Sequence, residues 1–387
     1  GSRAYEPLLY AKLAALHLSK ERFTDAAETY SLFADVHPQH REAPLFQSRV
    51  IDVYKQAGFS ERVLEQKQAF IERYEPASDY WKQHDAAQSP EVMQQVQRHL
   101  RDVAHHYHAL AQQQNKPKNY VEAGRWYRLY LNSFPESGQA PLMNFLYAEL
   151  LTGSGQHGLA ATQYERTAYS YGQHEKAAEA GYAALLAYQK HEPTLKGRGK
   201  AEWHRAGINS ALQFAGRFPE HKQALPVRTL AAQQLYALAE YAAAIAAARP
   251  VIENPAASKD LQLSAWMVVA HAQFDLEDYQ NAETAYQQVL ARSGRKDEQY
   301  GKLQEKLAAT IYKQGEQEKQ AGNLSGAAEH FLRIADTVPA SSVNVTAQYD
   351  AAAAFIALKQ WPDAIAVLER WRRSNPEHKL EADVTRK

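Results

Sequence analysis

The 387-residue chain contains no cysteine. That excludes disulfides, thiolate catalysis and cysteine-held zinc together, and it leaves the redox compartment open. No apolar run approaches the about 20 residues a bilayer-crossing helix needs, so no transmembrane segment is expected. An excess of either charge is also missing, since 44 basic residues balance 44 acidic ones. Nucleic-acid binders draw affinity from neutralising phosphates, so nucleic acid is not expected as a partner. Neither HExxH nor GxSxG occurs, and no catalytic constellation is expected. The "GSRAYEP" start reads as a cloning scar, so a missing leader says nothing of the native address.

Aromatic residues are abundant, with 23 tyrosines and six tryptophans supplying amphipathic contact surface. They recur in a pattern. Tyr120, Ala123, Tyr127, Tyr130 and Pro135 sit at offsets 0, 3, 7, 10 and 15. The same offsets hold Phe23, Ala26, Tyr30, Phe33 and Pro38, then Leu324, Ala327, Phe331, Ile334 and Pro339, then Trp361, Ala364, Leu368, Trp371 and Pro376. Weaker copies open at Phe59, His157, His204, Tyr241 and Tyr279, so the nine starts are 36, 61, 37, 47, 37, 38, 45 and 37 residues apart. The first four offsets share one helical face. The alanine marks close approach of a neighbouring helix, and the proline ends the helix. A second amphipathic stretch precedes each copy, as in "APLMNFLYAELL". Each unit is thus expected to be a helical hairpin that buries its apolar face only on its neighbours.

The pattern resembles the tetratricopeptide repeat (TPR), with a bulky residue at position 4, a small one near 8, an aromatic at 17, Ala at 20, an aromatic at 24 and Pro at 32. Tyr107, Leu110, Ala111, Tyr120, Ala123, Tyr127 and Pro135 match it, as do Trp266, Ala270, Tyr279, Ala282 and Tyr286. Departures include Arg62 and Gly207 in place of the alanine, Ala211 and Ala248 in place of the aromatic, and Pro250 late in a helix. The resemblance covers nearly the whole chain and implies an all-α, right-handed superhelical solenoid of about nine hairpins. The commonest spacing, 36–38, and the helix ends "YLNSFPESGQA" and "FAGRFPEHKQA" are most similar to bacterial cell-envelope repeat proteins of the outer-membrane assembly lipoprotein and Tol–Pal-associated types. That implies a periplasmic or envelope-associated scaffold.

The expected organisation is N-terminal repeats over 1–75, a helical linker over 76–103 with an extra helix from about Pro90, central repeats over 104–190, a linker over 191–202 and C-terminal repeats over 203–387. "LRDVAHHYHALAQQQNK" poses a choice, because His105, His106 and His108 permit a metal site, a pH sensor or a recognition surface. In the repeat frame His105, His108 and Gln112 fall at positions 2, 5 and 9, which line the concave groove in TPR arrays. The frame projects Tyr54, Phe145, Glu149, Tyr236, Met267, His271, Phe274, Tyr312 and Tyr349 into the same groove. Aromatics and Met mixed with a few polar groups suit a protein-binding surface.

Other candidates weigh less. Gly153, Gly155 and Gly158 form a GxGxxG, but they follow a helix, where a dinucleotide fingerprint follows a strand. Lys196, Arg198, Lys200 and Arg205 read as a solvated linker or an anion-facing patch. Asp102/His106 and His271/Asp275 are each at most half a metal site. No cofactor, metal or small-molecule ligand is expected. The expected function is a non-catalytic scaffold holding an envelope protein partner in its groove. The alternatives are a docking region of a larger enzyme or motor complex, or a glycan-binding envelope protein.

Overall fold

The computed structural model describes residues 3–294 and 298–375. The expected helix-ending Pro376 and the Gly1–Ser2 start lie outside them. Eighteen α-helices and no strand occur among the described residues. The chain divides into two compact units, Gly1–His204 and Arg205–Lys387.

In the first unit the helices pair as α1 (Glu6–Ser19) with α2 (Phe23–Val36), α3 (Ala43–Gln56) with α4 (Ser60–Tyr74), α5 (Pro90–Gln114) with α6 (Pro117–Ser133) and α7 (Ala140–Gly153) with α8 (His157–Tyr169). Then come α9 (Ala177–His191) and α10 (Gly197–Arg217), within which the division falls. The second unit pairs α11 (Ala224–Ala237) with α12 (Tyr241–Glu253), α13 (Lys259–Asp275) with α14 (Tyr279–Arg292), α15 (Glu298–Gln320) with α16 (Leu324–Thr337) and α17 (Val343–Ala357) with α18 (Trp361–Ser374). Each unit is a row of antiparallel hairpins of the tetratricopeptide type.

The second helix of a hairpin keeps close to its sequence pattern. α2, α14, α16 and α18 each start on the bulky residue at position 17 and run for 14 residues. Where a proline follows, the residue before it leaves the helical region: ψ is 58° at His37, 54° at Phe134 and 73° at Val338. Proline excludes its predecessor from the α region and supplies no N–H to continue the ladder. The position-20 alanines Ala26, Ala123, Ala160, Ala244, Ala282 and Ala327 are fully buried. Aromatics fill the space between neighbouring hairpins, as where Phe33 of α2 lies 4.1 Å from Phe46 of α3.

A further regularity lies in the turns. Nine described residues have positive φ: Glu21, Gly58, Asn115, Gly155, Gly197, Ala239, Glu277, Gly322 and Lys359. Eight of them fall between the two helices of a pair, where a left-handed residue closes the first helix and turns the chain back, and Gly197 opens α10.

Two expected boundaries differ from the structure. The limit between 103 and 104 falls inside α5, a single 25-residue helix. Its first half is held by α4, through His99 against Phe70 at 5.1 Å and Lys67 Nζ to Asp102 Oδ2 at 2.7 Å. The helix expected from about Pro90 does start there, but it runs on into the next hairpin instead of standing apart. Only a short 3-10 turn at Glu192–Thr194 separates α9 from α10, so much of 191–202 is helix.

Candidate partner-binding cleft

In the second unit a cleft of about 330 Å³ opens between the first helices α11 and α13. Gln233 and Tyr236 form one wall; Leu263, Ser264, Met267, Val268 and His271 form the other. These wall residues recur at the α-helical spacing that puts one face toward the opening. Tyr236 Oη donates to Asp275 Oδ2 at 2.8 Å, which fixes the ring at the cleft's edge. Burial first, then that carboxylate, pushes the Tyr236 phenol up to about 12, so it stays a donor. His271 lies 5.8 Å from the Tyr236 ring and 5.7 Å from Tyr286. Burial, aided by Lys306 and opposed by Asp275, lowers the His271 pKa and leaves a neutral imidazole at pH 7. Lys306 of α15 stands 5.5 Å from the Phe274 ring. The result is an apolar wall with a hydroxyl, an imidazole and an amide on its edge, the composition of a site that takes one apolar anchor and orients it by a few hydrogen bonds.

The second helix α12 has Ala248 at position 24, where other copies carry a ring, and Ala248 is fully buried. In three hairpins that carry the ring, the residue at position 5 packs on it, whereas Met267 at position 5 of α13 lines the cleft although α14 carries Tyr286. His108 lies on Tyr127, Phe145 lies 5.7 Å from Tyr164, and Tyr312 lies 5.0 Å from Phe331.

That packing corrects part of the expected groove. His108 and Phe145 are buried, at 7% and 4% exposure, and present no face to a partner. Gln112 Nε2 donates to His108 Nε2 at 3.3 Å, which makes Nδ1 the protonated nitrogen donating to Tyr127 Oη at 2.9 Å. Burial and the neighbouring His105 lower the His108 pKa, consistent with this neutral tautomer. Tyr54, Tyr312 and Tyr349 are half-buried and pack on hydrophobic cores; Tyr312 Oη also donates to Asp350 Oδ2 at 2.6 Å. His105, Gln112 and Glu149 are exposed. Tyr236, Met267 and His271 are brought together, with Phe274 beside them on α13.

Among the described residues no group of three or more His, Asp or Glu side chains could hold a metal ion. Asp102 faces Lys67, and Asp275 faces Tyr236. Gly153, Gly155 and Gly158 belong to the α7–α8 turn and its flanks, where φ is 77° at Gly155. Gln233, Leu263, Ser264, Val268 and Lys306 were missed from sequence, and no motif marks them.

Comparison with known proteins adds a limited likeness. Residues 304–385, less than a quarter of the chain, match the family YfiO, described as outer membrane lipoprotein. No curated protein matches the chain. Among solved structures, the P58(IPK) TPR domain is 14% identical over 97% of this chain and 95% of its own, with a TM-score of 0.26. A tetratricopeptide repeat protein from Parabacteroides merdae is 11% identical over 73% and 96%, at 0.30. The TPR2AB domain of yeast Sti1, in complex with pHSP90, is 15% identical over 74% and 96%, at 0.30. The repeat assignment itself rests on the helix ends, buried alanines and left-handed turns above.

Proposed function

We propose that this chain is a non-catalytic protein-interaction scaffold that holds a segment of a protein partner in the α11–α13 cleft. The observation that carries the reading is the convergence of Tyr236, Met267 and His271 on one cleft. The partner segment inserts an apolar side chain beside Met267 and is oriented by Gln233 and His271 at the edge. A photo-crosslinking residue at position 233 tests it in envelope extract of the source organism. The expected result is an adduct with one protein, lost when Ser264→Trp fills the cleft and retained when exposed His105 is changed to Ala. An adduct indifferent to Ser264→Trp rejects the cleft as the site.

The finer part of the proposal is an envelope setting, supported by the match of residues 304–385 to an outer-membrane lipoprotein family. Fractionation of source cells tests it separately: recovery with envelope fractions is expected, and recovery with cytoplasmic proteins rejects it.

A further inference from the structure

In the first unit an opening of about 470 Å³ lies between the C-terminal ends of α2 and α4. Three of its lining residues carry buried oxygens with no hydrogen-bond partner among the described residues: Gln39 Oε1, Tyr74 Oη and Ser78 Oγ. Tyr74 is 1% exposed. The groups whose charge acts on its phenol, namely Arg73, Asp35 and Tyr80, all line the opening, so the hydroxyl faces it. The Arg73 guanidinium stands beside that hydroxyl without a bond of normal geometry to it. Its Nη1 donates to Gln47 Oε1 at 3.0 Å and its Nη2 to Asp35. Burial pushes the Tyr74 pKa well above its ordinary value, so the phenol keeps its proton. A buried oxygen without a partner costs free energy, and native structures rarely leave three around one cavity. At the corresponding seam of α6, α7 and α8 the buried polar groups are matched, with Tyr171 Oη the one exception. There Ser137 Oγ shares a hydrogen bond with Tyr130 Oη at 3.0 Å, and His174 Nε2 donates to Thr167 O at 2.8 Å.

We infer that the opening between α2 and α4 binds a primary ammonium group, presented by a lysine side chain or by a free N-terminal amine. An ammonium carries three donors and no acceptor, and three unmatched oxygens here can accept them. Gln39 Oε1 only accepts, which argues against a carboxylate or a phosphate. Charge points the same way, because Asp35, Glu72 and Asp79 line the opening against the single cation Arg73. Asp35 holds Arg73 and offsets its repulsion of a second cation. Glu72 has Arg125 at 3.8 Å and Asp79 has Lys82, but both are exposed pairs, which contribute little and yield to a better-placed ligand. A neutral polyol would satisfy the oxygens but gains less from the three carboxylates. This opening belongs to the first unit, whereas the α11–α13 cleft belongs to the second.

Saturation-transfer NMR on the full chain, which detects weak binding, tests this with small probes. Nα-acetyl-lysine methylamide presents a side-chain ammonium and glycylglycinamide an N-terminal one; the Nε-acetylated lysine derivative and glucose present none. Binding of an ammonium probe and of neither ammonium-free probe is expected, and the stronger binder names the source. Tyr74→Phe/Ser78→Ala removes two acceptors and is expected to weaken that binding about tenfold or more. Its melting temperature should not fall, because hydroxyls without partners add nothing to the fold. Ser170→Ala, at the α6–α8 seam, should bind as the parent does. No binding of either ammonium probe overturns the inference and leaves water as the occupant. So does equal binding of the acetylated derivative or of glucose, or binding that the double variant retains. A lower melting temperature for the double variant would mean that the oxygens already have partners within the chain, which overturns it as well.

Discussion

Gly124 in the first unit and Glu283 in the second hold the same place, four residues into the repeat's second-helix pattern, and both are buried. At Gly124 the missing side chain lets α7 approach, so Tyr147 and Leu150 sit within van der Waals reach of where a Cβ would be. At Glu283 a charge fills the seam. Arg333 of α16 donates Nη1 to Oε1 at 2.7 Å and Nη2 to Oε2 at 2.9 Å, and Gln314 of α15 donates to Oε2 at 2.7 Å. One repeat frame therefore tolerates two chemistries at its closest approach. The first depends on volume and the second on satisfied charge, and they should fail differently.

The largest effect is expected from Glu283→Ala. Removing the carboxylate takes an acceptor from Gln287, Gln314 and both Nη groups of Arg333 at a buried seam, leaving Gln314 only its 3.3 Å bond to Tyr279 O, at a cost of about 2–4 kcal/mol in unfolding free energy. Arg333 is 40% exposed and can turn partly to water, which argues against a larger loss. The double variant Glu283→Ala/Arg333→Ala should recover part of the loss in a denaturant melt. A single variant as stable as the parent would show that the pair only fills space.

Gly124→Leu ranks next. A Cβ there would also stand 3.3 Å from Arg128 Nη1, and further methyl groups must displace Tyr147 or Leu150. Overpacking of this kind costs about 1–3 kcal/mol. Because the cause is volume, Gly124→Ala should cost much less, since its single carbon meets nothing closer than the movable guanidinium. Equal losses for Ala and Leu would point to backbone conformation instead of packing.

The buried bases of the two units sharpen the contrast. In the first unit His99 is 8% exposed, lies against Phe70 and has no hydrogen-bond partner on either ring nitrogen. Burial first, then Lys67 and Arg98, lowers its pKa to about 4, with Asp102 opposing. The unfolded chain binds a proton near the ordinary value of 6.5 and the folded chain does not until about 4. Stability contributed by His99 is therefore full above 6.5 and falls as pH drops through that window, by roughly 1 kcal/mol per pH unit. His99→Leu should flatten the slope between pH 6.5 and 4.5 in thermal melts. The same slope in the variant would assign it to other histidines. In the second unit the half-buried His271 faces the cleft, so its lowered pKa bears on partner binding as well: capture should weaken as the medium is acidified and the imidazole gains a charge beside Lys306.

The second-helix boundaries of α2, α14, α16 and α18 were legible because they are written locally: a bulky residue opens each one and a spaced alanine packs, and after α2 and α16 a proline follows. The cleft was partly legible through Tyr236, Met267 and His271. His108 and Phe145 were not, because in their hairpins position 5 packs under the ring at position 24. Met267 holds the same position and lines the cleft although Tyr286 supplies a ring, so the repeat frame alone does not decide which position-5 residues are open. The length of α5 was hidden for a related reason. Pro90 reads as a helix start, but nothing in the sequence between Pro90 and Gln114 marks that the helix continues as the first helix of the next hairpin. Glu283 and Arg333 are 50 residues apart, so their pairing follows only from the stacking of hairpins.

The smallest expected effect concerns the turns. Five of the nine left-handed turn residues are not glycine, among them Ala239 at φ 58° in the second unit, against Gly155 at 77° in the first. An L-residue in this conformation costs about 1–2 kcal/mol over glycine in the folded state. Glycine gives back about 0.4–1 kcal/mol through the freer unfolded chain. Ala239→Gly should therefore stabilise by a few tenths of a kcal/mol to about 1, and Gly155→Ala should destabilise by a similar amount. A Cβ at Gly155 would have no neighbour within 4 Å, so this reciprocal change reports backbone strain alone. Opposite, matched shifts in melting temperature would make the left-handed turn a shared element of both units, with the residue filling it set by cost rather than contact. A loss of stability from Ala239→Gly would mean that its methyl group packs in the turn, and the two turns would then differ in kind.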